Sequence, residues 1–189
     1  MKYAALFIMT ICLFATTVRA EDKFEETIEL FRNAGQSGNF FDKAVGYAVF
    51  PTIGKGGIGV GAAYGSGRVF KDGTYVGDSK MTQVSFGLQL GGQAYSQIVF
   101  FMDQSSFDEF TSGSFEFGAQ ASAVAITAGA QASASTSGAS AGANVGKEES
   151  TNAGNVYKGM AIFTMAKGGL MYEATISGQK FSYKPVATP

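Results

Sequence analysis

Alternation of small and large residues dominates the centre of the chain. The apolar stretch from Tyr47 to Phe50 is expected to end at Pro51, because proline has no donor for a β-ladder. From Gly57 to Gly65, glycine or alanine then alternates with other, mostly larger residues. A period of two is typical of a β-strand. Because glycine at every second position leaves one face of a sheet bare, we expect aromatic rings or backbone from elsewhere to approach it closely.

The segment before this stretch has helical periodicity. Phe24, Ile28 and Phe31 share one helix face, so residues 21–34 are predicted to form an amphipathic helix that ends at Gly35 and packs on the sheet. The polar face of this helix is acidic, which is the wrong sign for contact with anionic lipid.

Two shorter helices are predicted from polar cap residues. Asn39 can cap a short helix over residues 40–45. Further on, Ser105 or Ser106 can cap one or two helical turns over residues 107–111.

The rest of the chain is a succession of predicted strands. The Asp72-Gly73 pair predicts a tight hairpin between residues 68–70 and 74–76. The apolar run within residues 93–103 is typical of a strand that is buried on both faces. Further strands are predicted at residues 81–90 (with Val84, Phe86, Leu88 and Leu90 on one face), 113–117, 156–164, 170–176 and 180–183.

Between residues 118 and 146 the composition is reduced largely to alanine, serine, glycine and glutamine. Low complexity without bulk is typical of a disordered loop, whereas the alternation of alanine with other residues is typical of strands. We predict two strands of small residues over 115–134 and a mobile loop over 135–154.

Together these patterns predict a single α+β domain over residues 21–189. Its mainly antiparallel, glycine-rich sheet is expected to be curled and barrel-like, with the N-terminal helix packed on it. The 26 glycines and 17 phenylalanines among 189 residues favour such a sheet over a helical protein. Gly57, Gly59 and Gly61 would permit the curvature that a rolled sheet needs.

Residues 1–20 have the features of a secretory signal peptide. Lys2 precedes an apolar stretch from Tyr3 to Phe14, and a small-residue cleavage motif ends at Ala20. The apolar stretch is shorter than the ~20 residues that span a bilayer. We therefore expect an exported protein, periplasmic or associated with the cell envelope, that is cleaved after Ala20.

The chain after Ala20 has no cysteine, histidine or tryptophan, and its 12 basic and 15 acidic residues give a net charge of −3. This balance argues against nucleic acid as a partner, since nucleic-acid binding requires clustered lysine and arginine. Without cysteine and histidine, the usual zinc and copper sites and histidine-dependent nucleophiles cannot be built. We expect no metal, no cofactor and no catalysis. A hydrolase that uses a pair of carboxylates is the one enzymatic alternative that the composition leaves open.

Two short motifs match catalytic or nucleotide-binding signatures by their letters alone. Residues 54–59 match G-x-G-x-x-G, but the alternation that follows predicts a strand where the dinucleotide motif requires a helix. Residues 138–142 match G-x-S-x-G, the elbow of a nucleophilic serine, which needs a histidine that the chain lacks.

Several segments, taken in order, resemble the SYLF lipid-binding domain family. They cover nearly the whole chain after the signal peptide and lie at residues 44–51, 55–57, 65–69, 84–92, 98–102, 115–119, 167–170 and 176–178. The chain is most similar to the bacterial exported branch, whose members are stand-alone domains without the SH3 or FYVE partners of eukaryotic members.

The resemblance implies a non-catalytic module that binds phospholipids, including phosphoinositide-like headgroups, at a membrane surface. Some eukaryotic members also bind actin, which an exported bacterial protein would not meet. The predicted lipid contacts are the cations near sheet ends, Lys55, Arg68, Lys71 and Lys167; they could equally be ordinary strand-end charges. Two alternatives to lipid binding remain: a protein-interaction or structural protein of the envelope, and a small outer-membrane β-barrel.

Overall fold

The computed structural model describes residues 15–58, 60–86, 92–118, 121, 126–127, 156–167, 176 and 178–187. For residues 15–22, 58, 85–86 and 126–127 it describes the backbone alone. The mobile loop predicted at 135–154, most of the predicted signal peptide and strands at 115–134, and nearly all of the strand predicted at 170–176 lie outside the described residues.

Three helices are described: α1 (Ala15–Asn33), α2 (Gly35–Gly38) and α3 (Gln104–Thr111). The predicted N-terminal helix is confirmed; it is already formed at Ala15, the first described residue, and ends before Gly35. None of the described helices has an apolar stretch long enough to cross a bilayer.

The helix predicted at residues 40–45 is wrong, since residues 39–43 form turns and the short helix α2 precedes them. The rings of Phe40 and Phe41 both pack on Phe100, with centroids 5.7 and 4.8 Å away. Successive residues of a helix do not face the same neighbour, so this double contact requires a turn instead.

The cap of α3 also differs from the prediction. Asp103 accepts a hydrogen bond of 2.7 Å from the backbone N–H of Ser106, and the Ser106 hydroxyl accepts one of 3.4 Å in return. The cap is therefore Asp103, and Ser106 is the reciprocal partner in a capping box.

Within the described residues, eight strands form one sheet: β1 (Gly46–Ile58), β2 (Val60–Lys71), β3 (Thr74–Phe86), β4 (Gln93–Phe101), β5 (Ser114–Glu116), β6 (Ile126–Thr127), β7 (Met160–Lys167) and β8 (Lys180–Pro185). The strand order is β5-β8-β3-β2-β1-β4-β7-β6. All neighbours are antiparallel except β6 and β7. The predicted hairpin at Asp72-Gly73 and the buried strand β4 are confirmed.

Two boundaries in the central stretch were predicted wrongly. Strand β1 continues through Pro51, because the pairing registers of both neighbouring strands shift there and the missing N–H falls at an irregularity. The alternating run from Gly57 is a hairpin, in which Gly57 lies opposite Gly61. Because the alternation of small and larger residues continues through the turn, the sequence pattern does not show where β1 ends and β2 begins.

The sheet is curled but not closed. Strands β1 and β8 are three places apart, which would separate them by ~14 Å in a flat sheet. Even so, the ring centroids of Phe50 in β1 and Phe181 in β8 are only 5.5 Å apart. Strand β2 lies between them and has glycine at the bend: a Cβ on Gly67 would lie 2.5 Å from the Phe50 ring. The predicted curled sheet and the close approach of aromatic rings to glycine are both confirmed.

Each face of the sheet has its own apolar cluster. The concave inner face is covered by α3 and the curled β5–β8 edge, and its largest buried side chains include Phe50, Ile53, Met81, Tyr95, Phe101, Phe110, Phe117 and Met160. The outer face packs against α1 and the following turns through Phe31, Val49, Ile98, Phe100, Ala161 and Phe163. The predicted packing of the N-terminal helix on the sheet is therefore correct.

We predict that Gly67→Ala lowers the free energy of unfolding by about 1–3 kcal/mol, because the added methyl group would overlap the buried Phe50 ring. The matched control is Gly54→Ala in β1, where a Cβ meets nothing within 4 Å. Urea unfolding followed by circular dichroism measures both variants. Equal midpoints for Gly67→Ala and Gly54→Ala would contradict this account of the curl.

Candidate functional site

The four predicted lipid-contact cations lie at two ends of the sheet. Arg68 and Lys71 are near the β2–β3 turn, which we call the Asp72 end. Lys55 and Lys167 are near the β1–β2 turn, which we call the Gly57 end. Along β1 the two levels are six residues apart, or about 20 Å. The four cations therefore do not form one cluster.

The four cations are also divided between the two faces. Lys55 is only 8 % exposed and shares the inner face with Ile53, and Lys71 Nζ lies 5.0 Å from the centre of the Phe107 ring of α3. Arg68 and Lys167 are on the outer face. The role of these residues in lipid binding stays a prediction.

A groove of about 460 Å³ lies on the outer face at the Asp72 end, between α1 and strands β1–β3. Its residues are Phe24, Glu25, Ile28, Glu29 and Arg32 from α1, and Tyr47, Arg68, Phe70, Gly73 and Tyr75 from the sheet and its turn. The guanidinium carbon of Arg68 lies 4.6 Å from the ring centre of Phe24 and 5.1 Å from that of Tyr75. Arg68 thus joins the helix to the sheet through two cation–π contacts.

The aromatic hydroxyls of the groove are neutral at physiological pH. Burial raises the pKa of Tyr47, and the positive charge of Arg32 opposes this effect. Burial also raises the pKa of Tyr75, as does the hydrogen bond of 2.8 Å that its hydroxyl donates to Asp78. The charged groups that line the groove are two arginines and two glutamates, beside aromatic rings.

An exposed apolar surface lies on the outer face at the Gly57 end. Val60, Tyr64 and Val84 are 55, 53 and 63 % exposed, and Ala62, which pairs with Val84, lies between them. We call these four residues the outer patch. Three exposed lysines lie around it on the same face. Lys80 is in β3 itself, and Lys180 is in the neighbouring strand β8, 3.5 Å from Glu116. Lys167 is in β7, but its ammonium group reaches Thr52 of β1, the other neighbour of β2.

Sequence reasoning did not single out the outer patch. The alternation in β3 is as predicted, but Met81 and Gln83 face the inner core, so Val84 faces outward. The signal that could have found it is in β2, where glycine and alanine occupy the inner positions and Val60 and Tyr64 the outer ones. A strand with a bare inner face presents its larger side chains to solvent.

A buried polar cluster connects β4 to the residues before β8. Gln97 and Gln179 exchange side-chain hydrogen bonds of 2.9 and 3.1 Å, and Gln179 also donates one of 3.0 Å to the hydroxyl of Tyr95. Both glutamines are fully buried. Because β4 and β8 are four places apart in the sheet, these hydrogen bonds join strands that only the curl brings together, and they stabilise it.

Among the described residues, no group of three or more acidic side chains is placed to hold a metal ion. The expected absence of a metal or cofactor stays a prediction for the chain as a whole.

Residues 82–186 match a family model described as Ysc84, a Las17-binding protein actin regulator. The match covers more than half of the chain, so the chain belongs to this family, the SYLF family. The resemblance seen in the sequence is confirmed.

A relative in Aeromonas veronii supports the same assignment. The chain is 29 % identical over 158 residues to Beta cell expansion factor A, and the alignment covers 82 % of the chain and 51 % of the relative. The chain therefore spans about half the length of this relative.

The buried hydroxyl of Tyr95 predicts a loss of stability at high pH. Burial raises the pKa of Tyr95 from its ordinary value of 10 to about 12. An acid with a higher pKa in the folded state favours folding while it is protonated, so this contribution is complete below pH 10 and is lost as the pH rises to 12. Two units correspond to about 3 kcal/mol.

Urea unfolding between pH 9 and 12 measures this effect as the difference between wild type and Tyr95→Phe. Other tyrosines with raised pKa values, such as Tyr47, contribute equally to both proteins. The wild-type stability should fall more steeply than that of the variant. Equal slopes would contradict the prediction.

Proposed function

We propose that this protein binds phospholipid surfaces in the bacterial cell envelope, as a peripheral module that catalyses no reaction. Membership of the SYLF family supports a lipid-binding role, and domains of this family are generally non-catalytic binding modules. In this chain the proposal depends on one observation above all, which is the outer patch with lysines around it.

The outer patch has the composition of a surface that enters the interface of a membrane. Val60, Tyr64 and Val84 lie side by side on β2 and β3, and their exposure costs free energy as long as they face water. Tyrosine is suited to the headgroup level of a bilayer, because its ring is apolar and its hydroxyl is polar.

The flanking lysines complement an anionic membrane. Lys80 is in β3, four residues from Val84, and the ammonium group of Lys167 lies beside Thr52 of β1, the strand next to β2, so both are on the same outer face as the patch. Each cation near such a surface contributes about 1 kcal/mol. A net charge of −3 after Ala20 opposes binding at longer range, so the attraction must be local and sensitive to salt.

The predicted cations take different places in this proposal. Lys167 contacts headgroups beside the outer patch, and Arg68 lines the groove at the other end of the same face. Lys55 and Lys71 are on the inner side and would contact a ligand only if it entered the curl.

Export of the protein is part of the proposal. The sequence of residues 1–20 supports a cleaved signal peptide, and cleavage after Ala20 would leave intact the face of α1 that packs on the sheet, from Phe24 to Phe31. The family description names an actin regulator; an exported location would separate this protein from actin.

The proposal is tested by co-sedimentation of the purified protein with liposomes. Anionic vesicles of phosphatidylglycerol and phosphatidylethanolamine are compared with neutral vesicles of phosphatidylcholine at several salt concentrations. Wild type should sediment with the anionic vesicles and dissociate as salt is raised. The double variant Val60→Ser/Val84→Ser should bind at least tenfold more weakly, as should Lys80→Gln/Lys167→Gln, which loses about 2 kcal/mol.

Two matched controls separate these effects from general damage. Val186→Ser removes a valine that is 46 % exposed at the Asp72 end, far from the outer patch, and Lys43→Gln removes an exposed charge before β1. Both should bind like wild type. Failure of wild type to sediment with any vesicle would overturn the proposal and favour a protein partner for the outer patch.

A further inference from the structure

We propose that the groove between α1 and the outer face binds a zwitterion made of a phosphate and an ammonium group, such as phosphoethanolamine or phosphocholine. Such a group is available as a phospholipid headgroup or as a free compound. The proposal adds a headgroup class to the proposed function, but it depends on the residues of the groove and is testable without a membrane.

The ammonium end of the ligand is matched by aromatic rings and carboxylates. The rings of Tyr47 and Phe70 are stacked with centroids 5.0 Å apart, and the Tyr75 ring is 6.0 Å from Phe70. Ring faces attract ammonium groups, most strongly where water is partly excluded. Glu25 and Glu29 line the same groove from successive turns of α1, which places two negative charges on one side of it.

The phosphate end is matched by two arginines. The guanidinium group of Arg68 lies over the rings of Phe24 and Tyr75. Arginine recognises phosphate through the N–H donors of its guanidinium fork, and the two ring contacts hold this group in the groove. Arg32 lines the groove from α1 and packs over the Phe41 ring at 4.4 Å.

The balance of charges favours a zwitterion over a simple ion. A lone phosphate would face Glu25 and Glu29, and a lone ammonium would face Arg32 and Arg68. A ligand that has both charges can pair each end with the opposite sign. The volume of about 460 Å³ is within the usual range for small-molecule sites, about 300–1,000 Å³.

The groove and the outer patch lie on the same face of β2. Phe70, Arg68, Ser66 and Tyr64 occupy successive outward positions of this strand, and Arg68 is about 13 Å from Tyr64. A phospholipid with its headgroup in the groove could therefore place its glycerol end towards the patch. This arrangement also gives the acidic face of α1 a role at a lipid surface, since Glu25 and Glu29 would contact the ammonium group.

The test is a calorimetric titration of the purified protein with four soluble probes: phosphoethanolamine, phosphocholine, choline and inorganic phosphate. At least one zwitterion should bind tenfold or more tightly than either choline or phosphate. The proposal would be overturned if inorganic phosphate or choline bound as tightly as the zwitterions.

Three variants assign the binding to the groove. Glu25→Gln and Arg68→Gln should each weaken zwitterion binding about tenfold, whereas Glu26→Gln, on the same helix but outside the groove, should leave it unchanged. Arg68 also connects α1 to the sheet, so its variant could lose structure. Glu25 is exposed, and Glu25→Gln therefore tests the site without this risk. Equal affinities of Glu25→Gln and Glu26→Gln would overturn the proposal.

Vesicles distinguish a membrane headgroup from a free ligand. If the headgroup of phosphatidylethanolamine occupies the groove, Glu25→Gln should weaken binding to vesicles that contain this lipid about tenfold, and Glu26→Gln should not. If a soluble zwitterion binds the groove but Glu25→Gln binds these vesicles like wild type, the ligand of the groove is a free compound. If no soluble zwitterion binds and Glu25→Gln binds vesicles like wild type, the groove proposal is wrong, while sedimentation of wild type would still support the proposed function.

Discussion

The fold depends on glycine at two successive inner positions of β2, Gly65 and Gly67. The ring of Phe50 lies where a Cβ on Gly67 would be, and Ile53 Cγ1 lies 2.6 Å from the corresponding position on Gly65. This close approach lets the sheet bend at β2, so that Phe181 reaches Phe50 across the two intervening strands, β2 and β3. The same alternation places the larger residues of β2 outside. The inner glycines and the exposed outer patch are thus two results of one sequence pattern.

The outer face at the other end is organised by aromatic packing around Phe100. Phe40, Phe41 and Tyr47 contact this ring, and the chain after α1 must turn sharply to bring two successive phenylalanines to it. The position of α1 on the sheet follows from these contacts and from the burial of Phe31. The groove exists because the helix covers only part of the face, so its shape is set by packing around it.

Much of the architecture could be predicted because it is encoded locally. The Asp72-Gly73 turn, the alternation of β2 and the continuous apolar run of β4 each specify their own conformation. The course of β1 through Pro51 could not be predicted, since it depends on registers with two neighbours. The candidate site was harder to predict than the course of β1. The charge of Lys55 is evident in the sequence, but the face on which it lies is set by pairing parity, and the groove depends on where α1 docks.

The position of β8 within the sheet has a consequence for the timing of folding during synthesis. This last strand lies between β3 and β5, and β7 pairs with β4, so both halves of the sheet require segments that are made late. Until the ribosome has added residues near Pro185, the apolar inner side of β3 and the ring of Phe50 have no cover. The core can therefore be completed only after residues near Pro185 have left the ribosome.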